Sequence, residues 1–164
     1  VVSNSAGCGA ALREVGQWLP GRGEALASRV RDVCEWLDEV GLRSPAGSVP
    51  GRVCYDDPCH LVHAQGVAEA PRRILAAIPD LEQVDHVDAK SCCGAAGTYN
   101  LLQVEMSQQV LAPKLDALAD ADPDWIASGN PGCLLQLAAG ADARGLRASV
   151  VHPVQLLDRA YAQD

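Results

Sequence analysis

The stretch Ser91-Cys92-Cys93-Gly94-Ala95-Ala96-Gly97-Thr98 carries the most distinctive chemistry of the chain. A disulfide between neighbouring cysteines needs a strained eight-membered ring, and a pair of buried neutral thiols has no use for the glycines that follow. Two thiolates on successive residues, by contrast, reach two different metal atoms of one cluster. Gly94 and Gly97 are free to take positive φ, so the backbone can approach a ligand closely. A helix expected from Asn100 to Leu111 would aim its N-terminus at the same place, which favours a negatively charged object. A thiolate-ligated iron–sulfur cluster is such an object, and it needs more ligands.

Those ligands must come from elsewhere in the chain, so the elements that carry them matter. Strands are expected at Val1–Ser3, Arg52–Asp56, Gln83–Val87, Trp125–Ser128 and Ser149–Val151. Helices are expected over Ala10–Leu19, over Glu24–Val40 (one amphipathic helix or a broken pair, stopped by Gly41), over Pro71–Ile78, and over Asn100–Ala121 with a kink at Pro113. Two more should begin at Leu134 and Pro153. Ser44–Gly51, rich in Pro, Gly and Ser, reads as an exposed connection. Alternating strands and helices imply an α/β fold: a mainly parallel sheet with helices on both faces. Cys59, Cys92-Cys93 and Cys133 each follow a predicted strand, and loops at the carboxyl ends of parallel strands gather along one edge. Cys54, inside a strand, and Cys34, inside a helix, read as ordinary buried thiols.

Composition limits the alternatives. The 164 residues are 48% apolar, with no Phe, so the core must be built from Ala, Leu and Val. A net charge of −8 without a Lys/Arg run argues against nucleic-acid binding. Seven cysteines, an odd number, with no signal peptide and no stretch long enough to span a bilayer, point to a reducing compartment and to metal or redox thiols. A cytoplasmic protein is expected, meeting the inner face of the cell membrane only through a complex. Val1-Val2-Ser3-Asn4-Ser5-Ala6-Gly7-Cys8 echoes Trp125-Ile126-Ala127-Ser128-Gly129-Asn130-Pro131-Gly132-Cys133. Residues 1–48 are therefore expected to be the tail of a preceding repeat and 49–164 a complete unit, with the partners of Cys8 lying upstream.

The motif of one Cys, 32 residues, Cys-Cys-Gly, 38 residues and a last Cys resembles the cysteine-rich CCG domain. Heterodisulfide reductase B subunits, lactate-utilisation proteins and glycolate oxidase iron–sulfur subunits carry it. Tyr55-Asp56-Asp57-Pro58-Cys59-His60-Leu61, Pro71-Arg72-Arg73-Ile74-Leu75, Cys92-Cys93-Gly94-Ala95-Ala96-Gly97-Thr98-Tyr99, Gly129-Asn130-Pro131-Gly132-Cys133-Leu134-Leu135-Gln136 and Asn4-Ser5-Ala6-Gly7-Cys8-Gly9-Ala10 are most similar to the glycolate oxidase subunits. The resemblance implies an electron-transfer component that takes electrons from a flavoprotein partner oxidising a 2-hydroxy acid and passes them towards quinone. It would be a non-catalytic part of an oxidoreductase complex, with Cys59, Cys92, Cys93 and Cys133 holding a cluster, [4Fe–4S] being expected.

The chain departs from the heterodisulfide reductase pattern at Asn130, where that pattern has a further Cys; Asp56 stands where the glycolate oxidase subunits have His. The missing fifth thiolate speaks against disulfide-cleaving chemistry, the third alternative. A cluster-free scaffold that only docks the other subunits is the second. Zinc is the rival metal, although structural zinc sites draw on short Cys-x-x-Cys hairpins. Cys8 is a further candidate metal ligand, and around the cysteines His60, Gly94, Asn130 and His152 are candidates for supporting roles. His60 could donate to a cluster sulfur or simply pack at a helix start. His86 reads as a strand-surface residue, Asp56 and Asp57 as a turn and cap, and Arg72-Arg73 as surface residues or partner contacts.

Overall fold

Apolar residues on both sides of a strand require cover on both faces of its sheet, and here each face has its own set of helices. The structure, a computed structural model, describes residues 1–162. The first elements are β1 (Val2–Ser3), α1 (Ala6–Arg13), α2 (Val15–Trp18), α3 (Gly23–Ala27), β2 (Arg31–Asp32) and α4 (Val33–Val40), with β1 and β2 paired in parallel. Then come β3 (Gly51–Asp56), a π-helical turn at His60–Ala64, α5 (Glu69–Ala76), β4 (Leu81–Gln83), α6 (Tyr99–Leu102) and α7 (Val104–Ala121). The chain continues with β5 (Trp125–Ser128), α8 (Pro131–Ala143), β6 (Ser149–Val151) and α9 (Pro153–Tyr161). The larger sheet has the order β4-β3-β5-β6 and is parallel throughout. The α/β class and the helices on both faces agree with expectation.

Strand alternation sorts the core into two halves. Val53, Tyr55, Ala127 and Val151 face Cys34 of α4, Ile74 and Leu75 of α5, and Leu156 and Leu157 of α9. Cys54 and Ile126 face the other way, onto Leu111, Leu115 and Leu118 of α7 and Leu137 of α8. Each fully buried Leu or Ile contributes about 1.5–3 kcal/mol. Cys34 and Cys54 are fully buried in these two cores.

From β3 the chain moves outward to β4, then returns to β5 on the other side of β3. The loops leaving β3 and β5 therefore diverge and open a crevice at the carboxyl edge, the usual ligand site of an open α/β sheet.

Several expected boundaries shift. The first helix begins at Ala6, not Ala10, so Cys8 lies in its first turn. The Glu24–Val40 segment is broken by β2, because Asp32 caps α4: its carboxylate accepts from the Cys34 N–H at 2.8 Å, while Glu35 accepts from the Asp32 N–H at 3.0 Å. Gly41 ends α4 at φ +83. Pro113 does not divide α7. The freed carbonyl side of that turn is solvent-exposed, and buried Leu111, Leu115 and Leu118 hold the two halves in line; the break comes earlier, at Gln103. β4 ends at Gln83, well short of Val87, which is 99% exposed. The connection at 44–51 is not simply exposed, since Pro45 and Val49 are buried. Of the unit expected over 49–164, the last two positions lie outside the described residues.

Candidate metal centre

β3 ends at Asp56, and Asp57-Pro58 turn the chain so that Cys59 opens the π-helical turn at the crevice. β5 ends at Ser128; Gly129-Asn130-Pro131 lead into α8, whose first turn carries Cys133. Cys92 and Cys93 arrive on the loop between β4 and α6, nine residues beyond the strand end rather than directly after it. Proline at the first position of α8 suits a helix start, where its missing N–H costs nothing.

The four sulfurs meet as two pairs. Cys59 neighbours Cys92, and Cys93 neighbours Cys133. Cys92 is exposed, Cys59 half-buried, and Cys93 and Cys133 buried. Burial pushes the Cys59 thiol up, and the neighbouring sulfurs of Cys92 and Cys93 push it further. Within the buried pair, the neighbouring Cys133 sulfur and then desolvation hold the proton on Cys93. The Cys93 S–H, and then the Asn130 amide, hold Cys133 below the usual thiol range.

N–H groups converge on these sulfurs. The Gly94 N–H donates to Cys92 Sγ at 3.3 Å, and Asn130 Nδ2 donates to Cys133 Sγ at 3.5 Å. His60 Nδ1 lies 3.7 Å from Cys59 Sγ, beside a recess of about 310 Å³ lined by Cys59, His60, His63 and Ala64. Gly94 has φ +81, and a Cβ there would lie 2.5 Å from the Ser107 carbonyl oxygen. Ser107 Oγ donates to the Gly94 carbonyl at 2.8 Å and accepts from Gln136 Nε2 at 2.8 Å, which fixes the turn to α7 and α8.

Thiolates that receive N–H bonds are the soft donor set of iron–sulfur and zinc sites. Among the described residues, no three Cys, His, Asp or Glu groups converge closely enough to hold a single ion.

The sequence model of the cysteine-rich CCG domain matches residues 53–138, which hold all four of these cysteines. The chain belongs to this family. Relatives of the CCG domain extend the match to almost the whole chain. It is 35% identical to a probable glycolate oxidase iron-sulfur subunit of Bacillus subtilis, over 96% of this chain and 38% of that protein. It is 30% identical to the glycolate oxidase iron-sulfur subunit of Escherichia coli, over 100% of this chain and 40% of that protein. It is 32% identical to a fumarate reductase (CoM/CoB) subunit of Methanothermobacter marburgensis, over 100% of this chain and 33% of that protein. The chain thus spans about two fifths or less of the length of these three relatives.

The remaining expected positions fall at varying distances from the sulfurs. Cys8, exposed in α1, follows Gly7, whose N–H donates to Asn130 Oδ1 at 3.1 Å. His152 caps α9: its Nδ1 accepts from the Val154 N–H at 3.3 Å and Gln155 accepts from its backbone N–H. Its ring is buried against the Asn4 backbone, and burial pushes its pKa down to about 4.

The CCG domain also holds a buried charge network that the sequence does not announce. Lys114 of α7, fully buried, donates to Asp56 Oδ1 and to the Asp88 carbonyl at 2.6 Å. His86, expected at a strand surface, is instead buried 3.9 Å from the same carboxylate. Burial pushes Asp56 up to about 7 against the pull of Lys114, and burial drives His86 down to about 4. Asp57, expected with Asp56 to form a turn and cap, instead takes a two-pronged bond from Arg72 at 2.7 Å on each oxygen. Arg72 also lies over the Tyr55 ring, and Arg73 pairs with Asp38, so neither arginine is a bare surface charge. A lysine among Leu111, Leu115 and Leu118, on the apolar face of its helix, was the available signal.

Proposed function

We propose that this chain is the cluster-bearing part of an iron–sulfur electron-transfer subunit, in a complex that oxidises glycolate or another 2-hydroxy acid. In this reading Cys59, Cys92, Cys93 and Cys133 hold a cluster, [4Fe–4S] by ligand number. The observation that carries it is the meeting of four cysteines from three separate loops at the switch point of the sheet. The names of the relatives supply the complex and its substrate. Such a cluster takes up and passes on single electrons. The protein's part is to hold the sulfurs, to direct the Gly94 and Asn130 N–H groups at them, and to fix their loops through Ser107 and Lys114.

A flavoprotein partner as electron donor, and quinone as the destination, follow from the same reading. Leu101 and Leu102 of α6, 73% and 75% exposed, follow directly on the cysteine loop and suit a protein-covered face. Among the described residues no helix is long and apolar enough to cross a membrane. Apart from the inserted α2 and α3, β1-α1-β2-α4 echoes β5-α8-β6-α9, and each has its two strands paired in parallel, which supports residues 1–48 as the tail of another repeat.

Anaerobic purification, iron and sulfide analysis and EPR test the reading. Iron and sulfide in roughly equal amounts, lost on replacing Cys92 and Cys93 by Ser, are expected. Zinc in place of iron overturns the cluster. Wild-type complex assembly and electron flux in the double Ser variant would favour a docking scaffold instead.

A further inference from the structure

Asn130 is the N-cap residue of α8, yet its side chain makes no capping bond. An Asn at this position ordinarily accepts from a backbone N–H two or three residues on, which stabilises a helix by about 0.5–2 kcal/mol. Here both ends of the amide are used elsewhere. Oδ1 accepts from the Gly7 N–H at 3.1 Å, and Nδ2 donates to Cys133 Sγ at 3.5 Å.

The two bonds fix each other. A backbone N–H only donates, so the end of the amide facing Gly7 must be the oxygen. The nitrogen is then committed to the sulfur, and flipping the amide would lose both contacts. The Gly7 end is itself anchored. The Ala6 N–H donates to the Gly129 carbonyl at 3.1 Å, Gln65 Nε2 donates to the Ala6 carbonyl at 2.8 Å, and the Arg13 guanidinium donates to the Gln65 carbonyl at 2.8 Å. Gly9 is small enough to admit Gln65, whose Nε2 would lie 2.7 Å from a Cβ there. A segment 123 residues distant in sequence thus holds the amide in the one orientation that offers a donor to Cys133.

We propose that Asn130 is a positioning residue that raises the reduction potential of the site at Cys133, with the Gly7 segment setting its orientation. This rests on the cluster reading above. A donor to a thiolate ligand stabilises the sulfur's negative charge, most of all in the reduced state, so losing it makes reduction harder. In this view the position where the heterodisulfide reductase pattern has another cysteine serves here as a tuning site.

The test uses the anaerobically purified full protein and two variants. Asn130→Asp keeps an oxygen for Gly7 but replaces the donor by a negative charge; Asn130→Ala removes both contacts. The midpoint potential, followed by EPR, should fall in the order wild type, Asn130→Ala, Asn130→Asp. Loss of one hydrogen bond to a charged group corresponds to about a tenfold change in the reduced-to-oxidised ratio, about 59 mV for one electron. Hydrogen exchange at the Gly7 amide, followed with or without metal, should quicken in Asn130→Ala and stay slow in Asn130→Asp. Unchanged or raised potentials overturn the proposal, as does loss of iron from both variants, which would leave Asn130 a structural residue. If Asn130→Asp alone loses iron, the Asn130→Ala potential decides. If wild-type protein itself holds no iron, the cluster reading fails first, and the exchange data still report whether Gly7 and Asn130 are joined.

Discussion

Lys114 crosses the apolar half-core beneath α7 to reach Asp56 at the carboxyl end of β3. The same ammonium holds the Asp88 carbonyl, four residues before Cys92. One cation thus ties the end of β3, which leads to Cys59, to the loop that carries Cys92-Cys93. Replacing it by Met leaves a buried carboxylate unpaired and should cost about 3–5 kcal/mol. The Asp56→Leu/Lys114→Met double variant should recover most of that. Urea unfolding of the single and double variants measures the coupling; additive losses would show that the pair does not interact.

Gly94→Ala puts a Cβ where the Ser107 carbonyl oxygen lies 2.5 Å away, on a residue with φ +81. The left-handed backbone alone costs about 1–2 kcal/mol for a residue other than glycine. The turn should therefore shift, with a lower Tm and reduced metal content in the same variant. Gly97→Ala, with φ +67 but open space around it, should lower Tm less and leave metal content closer to wild type.

The cysteines should separate into two kinds. Cys92 is exposed, so Cys92→Ser should change the stability of the iron-free protein by no more than about 0.5 kcal/mol while lowering the iron bound on reconstitution. Cys54 is fully buried on the sheet, so Cys54→Ser should cost about 1–3 kcal/mol and leave iron unchanged in the folded fraction. Chemical denaturation and metal analysis on the same samples test both statements.

His152 should make the fold sensitive to acid. Folded, it stays neutral down to about pH 4; unfolded, it takes a proton near its ordinary pKa of about 6.5. The unfolded chain thus binds the extra proton between these values. Its contribution is intact above about pH 6.5 and falls by about 1.4 kcal/mol per unit as pH drops towards 4. His152→Asn keeps an oxygen to cap the Val154 N–H but cannot titrate. Its stability should fall less steeply over that window, as thermal melts at several pH values would reveal.

Much of this is legible in the sequence. β5 and β6 lie at Trp125–Ser128 and Ser149–Val151, as expected, because short apolar runs between turn residues leave little freedom. Asp32-x-x-Glu35 is a readable capping box, and it breaks the Glu24–Val40 segment at the right place. β4 is harder to read: Val84 and Val87 suggest a longer strand, whereas the chain leaves the sheet to bring His86 against Asp56 and the Asp88 carbonyl to Lys114. Cys59, Cys92, Cys93 and Cys133 can be grouped from sequence because parallel strands share one carboxyl edge. The Lys114–Asp56 pairing and the double use of the Asn130 amide depend on contacts across 58 and 123 residues, which no local pattern records.

One core takes Cys34, Val33 and Leu37 from α4 together with Tyr55, Ile74 and Leu157 from beyond residue 49. The boundary expected near residue 48 therefore does not divide the core. A chain starting at residue 49 would keep α5 and α9 on that side of the sheet but expose the part that α4 covers. Exchanging the residues before 49 for those of a relative would mean rebuilding a shared interior.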